Sequence, residues 1–130
     1  MKRLSVLAVG LALVLAACGG DTATVTQVEP VEAADLIEST QDLVVLDVRT
    51  PEEVAAGVIP GAINIDLSSP DFSDRVAELD PDLPYLVYCR SANRSAQAVA
   101  VMADLGFTQL YEMAGGIVSW ANAGGPLVSG

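Results

Sequence analysis

The chain has 130 residues, 52% of them hydrophobic, a net charge of −11, two cysteines and no histidine. That length allows one domain with one core. The acidity excludes nucleic acid as a partner and a polybasic grip on anionic lipid, and the lack of histidine excludes Cys–His acyl transfer, histidine-ligated zinc and histidine general-base catalysis.

Met1-Lys2-Arg3 is a short basic start, and the residues from Leu4 to Ala17 form an apolar run. A run of that length suits a signal-peptide core and falls short of the about 20 residues that span a bilayer. It ends in Leu15-Ala16-Ala17-Cys18, which resembles a bacterial lipobox. The resemblance implies a lipoprotein signal peptide over 1–17, lipidation of Cys18, a lipidated tether over 18–23 and a folded domain over 24–130. The protein is then exported and held on the extracytoplasmic side of a cell membrane by its N-terminal lipid only. Loss of Lys2 and Arg3 leaves four arginines against 17 acidic residues, a net charge of −13.

Thr24 to Val28 alternates as a short strand, ended by Glu29-Pro30. Val31 to Ser39 fits a short amphipathic helix. Leu43 to Val48 is nearly continuous in apolar, β-branched residues, the pattern of a strand covered on both faces of a parallel sheet. Thr50-Pro51-Glu52-Glu53 predicts a helix start, with Thr50 as N-cap, Pro51 in the first turn and Glu53 completing a capping box. After the turn at Pro60-Gly61, Ala62 to Ile65 reads as a strand and Asp71 to Leu79 as a helix, closed by Asp80-Pro81-Asp82-Leu83-Pro84. Leu86 to Cys89 reads as a buried strand, and the run from Ala96 to Leu105 as a largely buried helix capped by Gly106. Gln109 to Met113 is the last strand, Gly115-Gly116 a turn and Ile117 to Ala123 the last helix. This alternation predicts an α/β fold with a mainly parallel sheet.

Tyr88-Cys89-Arg90-Ser91-Ala92-Asn93-Arg94-Ser95 falls at a strand-to-helix turn and holds Arg90 and Arg94, two of the four arginines. Backbone N–H groups and a helix dipole in such a turn favour a thiolate and bind anions. With Cys18 lipidated, Cys89 has no intramolecular partner, which excludes a disulfide framework and a CxxC pair. Its polar, arginine-containing loop favours a reactive thiol over a buried inert one, activated by the loop itself.

Asp47-Val48-Arg49-Thr50-Pro51-Glu52-Glu53 with Gly57-Val58-Ile59-Pro60-Gly61-Ala62-Ile63-Asn64-Ile65, then Cys89-Arg90-Ser91-Ala92-Asn93-Arg94-Ser95, then Gly115-Gly116-Ile117-Val118-Ser119-Trp120 resemble, in that order, the signatures of the rhodanese family of single-domain sulfurtransferases. Val58 departs from the family, many of whose members carry histidine there, at a position outside the cysteine loop. The resemblance implies a rhodanese-like α/β fold, a mainly parallel five-stranded sheet with helices on both faces. It implies a sulfurtransferase that moves sulfane sulfur from thiosulfate or a related anionic donor to a thiol or protein acceptor through a Cys89 persulfide. The backbone of Arg90, Ser91, Ala92, Asn93, Arg94 and Ser95 would hold the persulfide, and Arg90 and Arg94 the donor, unless Arg94 chiefly braces the loop through a carboxylate. Asp47 and Arg49 read as structural support, an ion pair with each other or with Glu52 or Glu53. No metal or organic cofactor is implied, and the expected form is a monomer.

Two other functions compete. One is a persulfide-accepting relay module served only by a partner protein. The other is a cysteine phosphatase, whose cradle places arginine one residue further from cysteine than the four-residue gap between Cys89 and Arg94.

Overall fold

The computed structural model describes residues 22–130; the expected signal peptide, Cys18 and the tether up to residue 21 lie outside the described residues. In chain order the elements are β1 (Thr24–Val28), α1 (Pro30–Ser39), β2 (Val44–Asp47), α2 (Pro51–Ala55), β3 (Ile63–Asn64), α3 (Phe72–Ala77), β4 (Pro84–Tyr88), α4 (Asn93–Asp104), β5 (Gln109–Met113) and α5 (Gly116–Asn122). The strands form one five-stranded sheet in the order β1-β5-β4-β2-β3, with every pairing parallel.

Side chains alternate between the faces of a strand, and this divides the core in two. From β4, Tyr85 and Val87 pack with Leu46 and Leu110 against Phe72 and Val76 of α3 and Ala98, Val99 and Met102 of α4. Leu86 and Tyr88 pack on the other face with Ala33 of α1 and Ile117 and Trp120 of α5. Covered faces on both sides explain why β2 and β4 read as unbroken apolar runs. Cys89 continues the alternation and joins the α3–α4 side. No helix among the described residues is long and apolar enough to cross a membrane.

The elements match the expected order, with shifted ends. Pro84 opens β4 opposite Gln109 rather than closing the preceding turn; a strand's first residue tolerates proline. Cys89 lies just past the end of β4. Glu29 caps α1, its N–H donating to Glu32 Oε1 at 3.3 Å. Helix α4 starts at Asn93, three residues before its apolar run, because polar residues complete its first turn. It is also less buried than its composition suggests: Ser95, Ala98, Val99 and Met102 form one buried stripe, while Gln97, Ala100, Asp104 and Leu105 are exposed.

Candidate active site

Strands β5, β4 and β2 are neighbours, so their C-terminal ends bring Glu112, the cysteine loop and Asp47 to one edge of the sheet. In open α/β sheets that edge is where ligands bind.

The loop carbonyls are fixed by α5. Ile117 N donates to Cys89 O at 2.9 Å, and Val118 N donates to Arg90 O at 3.2 Å. The peptide bonds are trans, so each N–H opposes its C=O and the N–H groups of Arg90 and Ser91 face away from α5. Among the described residues, none of the N–H groups from Arg90 to Ser95 donates to a protein acceptor. Helix α4 begins inside this stretch, adding the positive end of its dipole. Ala92 turns the chain into the helix at φ 155° and ψ −18°. The loop is therefore a row of free donors suited to negative charge.

The Cys89 side chain is only 1% exposed, and its Sγ lies 3.6 Å from Ser95 Oγ. Arg90, Ser91 and Asn93 are exposed, whereas Ala92 and Arg94 are half-buried and Ser95 is buried.

Arg94 grips Glu53 with both arms of its guanidinium, Nη1 to Oε1 at 2.6 Å and Nη2 to Oε2 at 2.9 Å. Glu53 also caps α2, receiving the Thr50 hydroxyl at 3.2 Å and donating its own N–H to Thr50 Oγ1 at 3.4 Å. One carboxylate thus joins the start of α2 to the cysteine loop. Arg90 has no carboxylate partner among the described residues.

The hydrogen bonds from Arg94, ahead of its charge, hold the Glu53 carboxyl down at about 2 from its ordinary 4.5. The same hydrogen bonds raise the Arg94 pKa. A carboxyl with a lower pKa in the folded state adds stability that is complete above pH 4.5 and lost as pH falls toward 2. Glu53→Gln is expected to cost about 1 kcal/mol at neutral pH, a modest value for a partly exposed pair. It should also flatten the acid limb of a plot of Tm against pH, and a limb of unchanged slope would mean that the pair contributes nothing.

Asp47 and Arg49 form the second ion pair. Arg49 Nη2 donates to Asp47 Oδ2 at 2.7 Å and Nε donates to Oδ1 at 3.0 Å, with the side chains 5% and 0% exposed. Arg49 also donates to Gly57 O at 2.7 Å and Glu53 O at 3.3 Å, and its guanidinium lies over the Tyr88 ring. Burial pulls the Arg49 pKa down, and the hydrogen bonds and charge of Asp47 outweigh it for a net rise. The pair sits beneath α2 and holds the helix that carries Glu53.

Two contributors escape sequence reasoning. Glu112, on β5, accepts from Ser95 Oγ at 3.1 Å behind the cysteine. Gly116 lets α5 reach the loop: a Cβ there would stand 2.5 Å from Cys89 O. The double glycine signals a tight turn, but nothing local in Tyr111-Glu112-Met113 marks a site residue.

Fold and site together define a parallel α/β protein with a thiol at the carboxyl edge of its sheet and a backbone cradle for an anion. The sequence model of the Rhodanese-like domain matches residues 29–123, which include the whole site. A sulfurtransferase of Allochromatium vinosum is 32% identical over 105 residues, spanning 81% of this chain and 96% of that protein. The thiosulfate sulfurtransferase GlpE of Pseudomonas putida is 36% identical over 91 residues, spanning 70% of this chain and 81% of its own. A crystal structure of a rhodanese-related protein from Thermoplasma volcanium superimposes with a TM-score of 0.68 at 37% identity, over 79% of this chain and 97% of that one. The chain belongs to the rhodanese-like family and is an enzyme of that kind.

Proposed function

We propose that the protein moves sulfane sulfur from thiosulfate or a related anion to a thiophilic acceptor through a persulfide on Cys89. The observation that carries this reading is the run of N–H groups from Arg90 to Ser95, untaken among the described residues, beside the Cys89 thiol. The Cys89 thiolate attacks the terminal sulfur of the donor, the donor's S–S bond breaks, and sulfite leaves with the electron pair. The persulfide anion then rests against the loop donors, which compensate its charge. Arg90 attracts the anionic donor on an otherwise acidic chain. Burial of Cys89 suits a cargo of one atom, because sulfane sulfur adds a single atom to Sγ whereas a phosphoryl group brings three oxygens with it. The short gap between Cys89 and Arg94 supports the same choice against phosphatase chemistry. We extend the proposal to a lipid anchor at Cys18 on the extracytoplasmic side, supported by the leader sequence alone.

The test is turnover of thiosulfate with cyanide, with intact mass read after thiosulfate alone. Wild type should turn over and gain one sulfur, and Cys89→Ser should do neither. Arg90→Ala should raise KM for thiosulfate about tenfold with kcat little changed, as loss of a charge-assisted contact predicts. Wild type that shows neither turnover nor added sulfur sinks the reading, and sulfur accepted only from a protein donor would make the chain a relay module. Lipid labelling in cells should be lost in Cys18→Ser; persistence would remove the anchor.

A further inference from the structure

Glu112 is a buried carboxyl that the chemistry above leaves idle. It is 8% exposed and shares its strand face with Leu110, toward α4. Its Oε1 lies 3.1 Å from Ser95 Oγ, which lies 3.6 Å from Cys89 Sγ, and Ser95 and Cys89 are 0% and 1% exposed. Its ladder neighbours, Gln27 on β1 and Val87 on β4, carry no charge. From α4, Arg94 is held by Glu53, and exposed Arg90 makes no ion pair among the described residues.

The Ser95 hydroxyl has one proton to give. The Glu112 carboxylate and the Ala92 carbonyl at 2.8 Å compete for it, while the Cys89 thiol donates to the same oxygen and would need that proton too once ionised. With both Cys89 and Glu112 ionised, at least one buried anion would lack this donor, and two like charges would face each other across one oxygen. The contacts set sulfur, hydroxyl and carboxyl in one line, with the thiol placed to donate to Ser95 and Ser95 to Glu112.

We propose that Glu112 stores the Cys89 proton, taking it through Ser95 as the thiol accepts sulfur and returning it as the sulfur leaves. The inference rests on the reading of Cys89 as the sulfur carrier, and gives that site its proton store. During uptake, Cys89 passes its proton to Ser95 Oγ while Ser95 passes its own to Glu112 Oε1. The thiolate attacks, sulfite departs with the S–S electron pair, and the charge moves to the outer sulfur while Glu112 stays neutral. During delivery, the acceptor attacks the outer sulfur and the electron pair of the breaking bond returns to Sγ. Sγ takes the Ser95 proton as Glu112 reprotonates Ser95. Neither half exchanges a proton with solvent. Glu112 never touches the sulfur and acts only through the hydroxyl.

The experiment counts protons. Full-length protein at neutral pH in dilute buffer with an indicator dye is loaded with thiosulfate and, in parallel, with inorganic polysulfide, and persulfide is counted by intact mass. Glu112→Gln and Ser95→Ala should each release one more proton per persulfide than wild type; the comparison cancels protons taken up by the small sulfur species. Equal counts in wild type and both variants overturn the inference. Loading by polysulfide alone counts against thiosulfate as donor, and the proton count still decides the role of Glu112. No loading by either reagent overturns both readings together.

Discussion

Gly116→Ala is expected to abolish most turnover while leaving a folded protein. The added Cβ would stand 2.5 Å from Cys89 O and from the carbonyl carbon and oxygen of Arg90, all backbone atoms. Backbone in a hydrogen-bonded loop cannot swing aside as a side chain can. Gly116 also has φ +59°, a left-handed conformation that costs an L-residue roughly 1–2 kcal/mol. Overpacking adds about 1–3 kcal/mol, so Tm should fall on the order of 10 °C. The larger consequence is chemical. Moving α5 releases the Cys89 and Arg90 carbonyls from Ile117 and Val118, and with them the direction of the loop N–H groups. Turnover should drop about 100-fold, the scale of losing an oriented anion donor. Gly106→Ala is the control, because Gly106 has φ +95° with nothing within 4 Å of its added Cβ. It should lose stability through strain alone and keep its activity. Equal activity in the two variants would show that the contact between α5 and the loop has no bearing on the site.

Asp47→Ala is expected to destabilise the fold by about 3–5 kcal/mol, the usual cost of leaving a buried charge without its partner. Arg49 is 4% exposed, and the two carbonyls it also reaches bring no compensating negative charge. Typical stabilities are about 5–15 kcal/mol, so the variant should unfold at much lower denaturant. Replacing both members by apolar side chains of similar volume should recover much of the loss, since the pair's desolvation cost disappears with it. Urea titration of wild type, Asp47→Ala and the double variant Asp47→Leu/Arg49→Met decides this. A double variant as unstable as the single one would show that the pair itself stabilises the fold. The double variant should nevertheless turn over poorly, because Arg49 anchors the Glu53 and Gly57 carbonyls, and Glu53 holds Arg94 in the cysteine loop. Stability recovered without activity would identify the pair as the support of that chain of contacts.

The elements themselves were legible because their determinants are local. β-branched apolar runs marked β2 and β4, and Thr50, Pro51 and Glu53 marked the start of α2 through contacts within one turn. The cysteine loop stood out for the same reason, as polar and arginine-bearing residues between two apolar runs. Less legible was the start of α4: Asn93, Arg94 and Ser95 show no apolar period, so the helix reads as beginning later than it does. Pro84 is likewise turn-like on its own, and strand only because Gln109 lies beside it.

From its residues alone, then, the chain determined a parallel α/β order, a cysteine in an anion-favouring loop and the absence of a histidine to activate it. Only the tertiary structure decided what that loop touches. Glu53 and Arg94 are 41 residues apart and Ser95 and Glu112 are 17 apart, well beyond the reach of helical or strand periodicity. They meet because the order β5-β4-β2 sets three strand ends side by side. That placement leaves Arg94 braced by Glu53 and Arg90 unpaired among the described residues, brings α5 onto the loop carbonyls, and supplies Cys89 with a buried carboxyl behind Ser95. Side chains carry their chemistry in the sequence, but burial and partnership belong to the packing, and in this site those two properties govern charge.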